Sequence, residues 1–174
     1  ENAITMLNAV GGSTNGILHL LALANEAEVK LTYDDFERIR KKTPHIADMK
    51  PGGSYVMNSL DKIGGIPFVL KKLLERDLIN PNIITVTGKT IKENIEEFLI
   101  PELPEQQIVH STESPLHTVG TAVILNGTLA PEGAVIKTAG VEMKEFTDKT
   151  INKVVVNESV SQPQNEILNV SEDN

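Results

Sequence analysis

The sequence predicts an α+β protein. It has a helix-rich stretch over residues 1–104, a β-rich stretch over 105–158, and a polar tail over 159–174. Three observations carry that prediction. Apolar residues recur at helical spacing through the first hundred positions. The composition changes character at Pro101-Glu102-Leu103-Pro104. Beyond that point TAVILNGTLAPEGAVIKTAG is β-branched and broken by Asn126-Gly127 and Glu132-Gly133, both read as turns between strands.

The elements follow in order. Residues 3–28 hold two helical stretches separated by Gly11-Gly12, the second showing Ile17, Leu20, Leu21 and Ala24 on one face. Ser13 or Thr14 is expected to cap its first turn. Thr32 opens TYDDFERIR, a helix with Asp34 and Asp35 at its positive end and Phe36, Ile39 and Tyr33 toward the core, ending before Pro44. Pro51-Gly52-Gly53 is a turn, and Ser54 is expected to cap a short helix through Ile63. Gly64-Gly65 ends that helix, and Pro67 sits in the first turn of the next, amphipathic one. NPNIITVTGKT reads as a turn and an extended piece, followed by a Thr90-capped helix through Phe98. INKVVVNE supplies a further strand, and the tail from Ser159, with little to bury, is expected to be disordered.

Composition narrows the function classes. A net charge of −8 leaves no basic face for nucleic acid or for an anionic membrane. No apolar run is long enough to cross a bilayer. The sequence contains no cysteine, so these residues alone can build no disulfide, zinc–thiolate site, iron–sulfur cluster or thiol nucleophile. The start at Glu1, already helix-like, suggests a segment of a longer, cytoplasmic protein.

The motifs that could carry chemistry are few. TVTGKT fails as a phosphate loop, because Ile83 stands where the first glycine is required. GGSTNG lacks the dinucleotide spacing, yet a glycine turn running into a helix start can bind an anion through backbone N–H groups. The alternative is a plain capped turn. His19, His45, His110 and His117 have no helical metal-pair spacing. His19 is expected to pack within its helix, and His110 and His117 to be exposed. Asp34, Asp35 and Glu37 could hold a hard cation, or form only a solvated helix start. Lys137, on a strand, could meet a substrate carboxylate or be an ordinary exposed lysine.

The order of the blocks is more informative than any one of them. ENAITMLNAVGGSTNGILHLLALANEA is followed by LTYDDFERIRKKTPHIADMKPGGSYVMNSLDKIGGIPFVLKKLLERDLI, then ITVTGKTIKENI, then LNGTLAPEGAVIKTAGV. Over residues 1–147 the chain resembles the middle of the dihydroxy-acid and 6-phosphogluconate dehydratases, nearer the dihydroxy-acid branch than the sugar-acid branch. The resemblance implies a hydro-lyase that converts 2,3-dihydroxy carboxylates to 2-keto acids in valine and isoleucine biosynthesis. It also implies an iron–sulfur cluster as Lewis acid, a magnesium ion, a small dihydroxy acid as substrate, and a homodimeric α/β parent in which the β-rich stretch begins a barrel-like C-terminal domain.

Departures from the family pattern accompany the likeness. The cysteine blocks are missing, and so is the block with the serine base; Thr128 replaces the asparagine of the family's GNLAP, and Asp148 a usual glycine. No catalytic or metal residue is therefore carried over, and this chain alone is expected to bind no cofactor and to be inactive. The site-lining residues the resemblance points to are Gly11, Gly12, Ser13, Thr14 and Asn15. The alternative readings are a non-catalytic binding or assembly module and a fragment of a sugar-acid, 6-phosphogluconate-type dehydratase.

Overall fold

Among the described residues six helices precede four strands. A computed structural model describes residues 1–99, 101 and 105–139, together with the backbone of the strands at 143–146 and 154–157. The helices are α1 (Asn2–Ala9), α2 (Asn15–Glu26), α3 (Tyr33–Arg40), α4 (Met57–Lys62), α5 (Gly65–Leu74) and α6 (Ile91–Glu97). The strands are β1 (Ala122–Gly127), β2 (Ala130–Lys137), β3 (Met143–Phe146) and β4 (Val154–Asn157). β1 pairs antiparallel with β2, and β3 with β4. The mixed α+β content agrees with the sequence reading. One compact unit spans Glu1–Ala139 and a second Gly140–Asn174. The tail at 159–174 lies outside the described residues.

Within the first unit, apolar side chains gather into two cores, and α1 contributes to both. Its Ala9 joins Ile46, Ala47, Met49, Leu60, Val69, Leu73 and Val109. Its Ile4 joins Ile17, Phe36, Ile39, Ala122 and Ile124. Burial of this aliphatic surface, at about 25 cal/mol per Å², drives the assembly in place of the aromatics that the sequence scarcely has.

Several helix starts are built as expected and others are not. In α3 the Asp35 carboxylate accepts from the Thr32 backbone N–H at 3.0 Å, and Phe36 and Ile39 are buried. In α6 Thr90 and Glu93 satisfy each other's backbone N–H groups. Phe98 lies just past the end of α6, and Ile84 pairs with Thr90 in an isolated bridge. Ser54 does not cap α4. That helix begins at Met57 with Val56 at its N-cap, two positions beyond Ser54, whose N–H donates to Asp48 Oδ1 in the preceding turn. Gly64, at φ +104°, separates α4 from α5.

The β1–β2 connection also differs from expectation. Gly127 pairs with Ala130, so the turn is Thr128-Leu129 and Asn126-Gly127 ends the strand. Glu132-Gly133 is no turn; it lies inside β2. Gly133 takes φ +91°, and a Cβ there would stand 3.1 Å from the Tyr33 ring. The glycine thus serves a close approach between α3 and the hairpin, which short-range turn statistics do not see.

Two polar anchors join the helices to this hairpin. Asn8, buried in α1, accepts from the Ala122 N–H and donates to the Ile4 carbonyl. Glu37 in α3 accepts from Arg40 through both its oxygens and from the Ile124 N–H at 2.9 Å. Burial alone would raise the Glu37 carboxyl, but these donors hold it below the usual glutamate value. Arg40 in turn donates to the Gly120 carbonyl.

The segment after α3 is a second hub. The Ala9 carbonyl accepts from both Ile46 and Ala47 N–H groups, at 2.9 and 3.1 Å. His45 exchanges backbone bonds with His117, and the two imidazoles stack nearly parallel with centroids 5.3 Å apart. His45 is buried and its Nδ1 has no partner among the described residues. Burial, and then the neighbouring His117, push its imidazole down to about 4.

Replacing Glu37 by alanine strands the Ile124 N–H and the Arg40 guanidinium. The expected loss is about 1–3 kcal/mol, read as a lower urea midpoint with an unchanged slope. His45 generates a pH dependence. Its folded value of about 4 lies below the unfolded 6.5. The unfolded chain therefore binds the extra proton, and stability is full above pH 6.5 and falls as the pH drops toward 4, by up to about 3 kcal/mol from this residue. Urea titrations at several pH values should show that fall in the wild type and a flatter profile in His45→Gln.

Candidate functional site

A cavity of about 410 Å³ opens within the first unit, and one of its walls is the glycine turn singled out from the sequence. Val10, Gly11, Gly12, Ser13 and Thr14 line it, with Met49, Lys50 and Pro51 from the segment after α3. Met57 and Leu60 from α4, Ile66 from α5 and Lys137 from the end of β2 complete it. Four of the five residues expected to line a site are therefore together. Asn15 is not among them; it is exposed and begins α2.

The local reason for the turn is now concrete. Gly11 has φ +58°, and a Cβ there would stand 2.6 Å from His45 Nε2 and 3.2 Å from the Ala139 Cβ. Only glycine lets the chain turn left-handed while lying against the histidine and the end of the hairpin. The expected cap takes an altered form. Thr14 makes no cap bond, and the Ser13 hydroxyl accepts from the Asn15 N–H at 3.2 Å, one position earlier than a standard cap. The Ser13 and Thr14 side chains are thus not consumed in bonding the N2 and N3 amides of α2.

Lys137 is the residue whose sequence reading was most open. It is half-buried at the end of β2, opposite Ala122 in register. Burial lowers its ammonium below the usual lysine value. Among the described residues it makes no ion pair. Thr138 donates to the Thr121 carbonyl through both its N–H and its hydroxyl, extending the hairpin pairing by one step and fixing Lys137 at the cavity. Of the residues lining the cavity, the charged ones are Lys50 and Lys137; none is acidic.

The other candidates are placed elsewhere. Asp35 is engaged by Thr32 and Arg38, and Glu37 by Arg40 and Ile124, so these two α3 acids are structural, while Asp34 is exposed. His19 is exposed on α2 and does not pack, because the buried face of that helix is carried by Ile17. His110 and His117 are half-buried and not exposed; both belong to the segment that pairs with residues 45–48. The stacked pair of His45 and His117 escaped sequence reasoning, since 72 positions separate them and no spacing rule joins them.

The donor chemistry of these residues does not fit an iron–sulfur cluster. The sequence has no cysteine, and among the described residues no three histidine, cysteine, aspartate or glutamate side chains cluster to hold a metal ion. The same observation provides no carboxylate set for magnesium among the described residues. Among them, too, no helix is long and apolar enough to cross a membrane.

Comparison with known proteins agrees with the pattern of blocks. The chain is 57% identical over 149 residues to the dihydroxy-acid dehydratase of Saccharolobus islandicus, covering 86% of this chain and 27% of that protein. It is 56% identical over 149 residues to the enzyme of that name from Sulfolobus acidocaldarius, with the same coverage. To that from Sulfurisphaera tokodaii it is 55% identical over 144 residues, covering 83% of this chain and 26% of the relative. The chain thus spans about a quarter of the length of these relatives. The model of the dihydroxy-acid/6-phosphogluconate dehydratase N-terminal region matches residues 1–94, and that of the C-terminal region residues 107–173. With those two matches in sequence order and the first covering more than half of its length, the chain belongs to the dihydroxy-acid/6-phosphogluconate dehydratase family.

Proposed function

We propose that these residues are the central stretch of a hydro-lyase that converts 2,3-dihydroxy carboxylates to 2-keto acids in branched-chain amino-acid biosynthesis. The observation that carries the reading is the identity of 55–57% to proteins named dihydroxy-acid dehydratase, extending across both family regions. The same names favour the branched-chain substrate over a sugar acid. In this reading residues 1–104 end the N-terminal domain, 105–158 begin a barrel-like C-terminal domain, and 159–174 form a tail. The parent is a cytoplasmic homodimer.

Loss of a hydroxyl from such a substrate needs help for a poor leaving group, and in this family an iron–sulfur cluster and magnesium supply it. Thiolates for a cluster would have to come from outside these residues, since none is present. What this stretch contributes is a wall of the substrate pocket. Gly11 and Gly12 let the backbone approach closely, and the Ser13 and Thr14 hydroxyls offer hydrogen bonds to the polyol end of the ligand. The apolar side chains of Met57 and Ile66 accommodate its aliphatic part.

The test exchanges this chain for the corresponding segment of the Saccharolobus islandicus enzyme. The chimera should form 2-keto acid from 2,3-dihydroxy-3-methylbutanoate, and the isolated chain should form none. Changing both Ser13 and Thr14 to alanine in the chimera should cost about 10-fold or more in kcat/KM. A folded, cluster-loaded chimera without keto-acid formation overturns the reading, as does turnover by the metal-stripped isolated chain.

A further inference from the structure

The cavity beside the glycine turn has a sign. In a protein of net charge −8, the charged residues on its wall are two lysines and no acid. The two are not equivalent. Lys50 is exposed and keeps its water; Lys137 is half-buried beside apolar side chains of the same cavity and has no carboxylate partner among the described residues. A half-desolvated ammonium without a counter-charge is unfavourable, and an anion entering the cavity relieves that cost. The lysine is also held in place. Its strand is anchored by the paired bonds of Thr138 to the Thr121 carbonyl, and the next residue, Ala139, is wedged between Gly11 and the turn at Gly52.

We propose that Lys137 is the residue that binds the substrate carboxylate in this cavity, leaving the hydroxyls of the substrate to Ser13 and Thr14. The inference deepens the dehydratase reading and rests on it for the identity of the anion as a 2,3-dihydroxy carboxylate. Because a carboxylate is present in the substrate and in the 2-keto product, this contact binds both; its loss raises KM more than it lowers kcat.

The experiment uses the full chain and glycerate, the simplest 2,3-dihydroxy carboxylate, with glycerol as the probe lacking the charge. In the 15N-resolved NMR spectrum, glycerate should shift the amides of Gly11–Thr14 and glycerol should not. Lys137→Met should weaken the glycerate titration about 10- to 100-fold with the rest of the spectrum unchanged, Lys137→Arg should restore most of it, and Lys30→Met, at an exposed lysine outside the cavity, should leave it within about 3-fold. In the chimeric enzyme the same Lys137→Met change should raise KM about 10-fold or more with a smaller effect on kcat. Glycerate shifts equal in wild type and Lys137→Met overturn this assignment while leaving the pocket reading intact. Absence of any glycerate response at Gly11–Thr14 in the wild type overturns both.

Discussion

One carbonyl organises the first unit. The oxygen of Ala9, at the end of α1, accepts two backbone N–H groups from consecutive residues, Ile46 and Ala47. That double bond-acceptance lays the His45–Met49 segment against the helix end, and Ala9, Ile46 and Ala47 enter the same apolar core with no exposure. The geometry leaves no room for a side chain at position 11, where the chain must reverse over the His45 ring. The glycine turn is therefore first a consequence of packing. Its use as a pocket wall follows because a chain that passes so close to its neighbours leaves backbone and small hydroxyls at the surface of the cavity.

A second constraint acts at longer range. Asn8 and Glu37 each accept across the boundary between helices and hairpin, both from backbone N–H groups of β1. A backbone amide on the inner side of a strand must find an acceptor when buried. Here helical side chains meet that need, and the hairpin's position relative to α1 and α3 is set by it. Lys137 reaches the glycine turn as a result, 123 positions after Thr14.

These two constraints bear differently on the chemistry. The cavity they shape combines hydroxyls, apolar walls and cationic side chains, a set suited to holding a small polar anion. The electrophile that dehydration requires is of another kind, and the sequence carries no sulfur ligand for it. On the proposed reading the division of labour is physical: binding groups are spread along this stretch, while soft thiolate donors would come from residues outside it.

Much of the local structure was determined by the sequence itself. The Thr32 and Thr90 capping sites, the apolar faces of α2 and α3, and the hairpin near Asn126-Gly127 are governed by neighbours within a few positions. So was membership of the family, which depends on the order of several blocks. Tertiary structure alone decided the rest. Ser54 proved to tie a turn to Asp48 and not to cap a helix, Gly133 proved to be a close approach and not a turn, and His45 found its stacking partner far along the chain. Lys137, which the sequence left between a carboxylate partner and a plain surface lysine, became a cavity residue only when β2 docked on the helices. The reason is common to all four. Caps and periodicity are short-range, whereas desolvation and steric exclusion depend on segments that meet only in the folded chain.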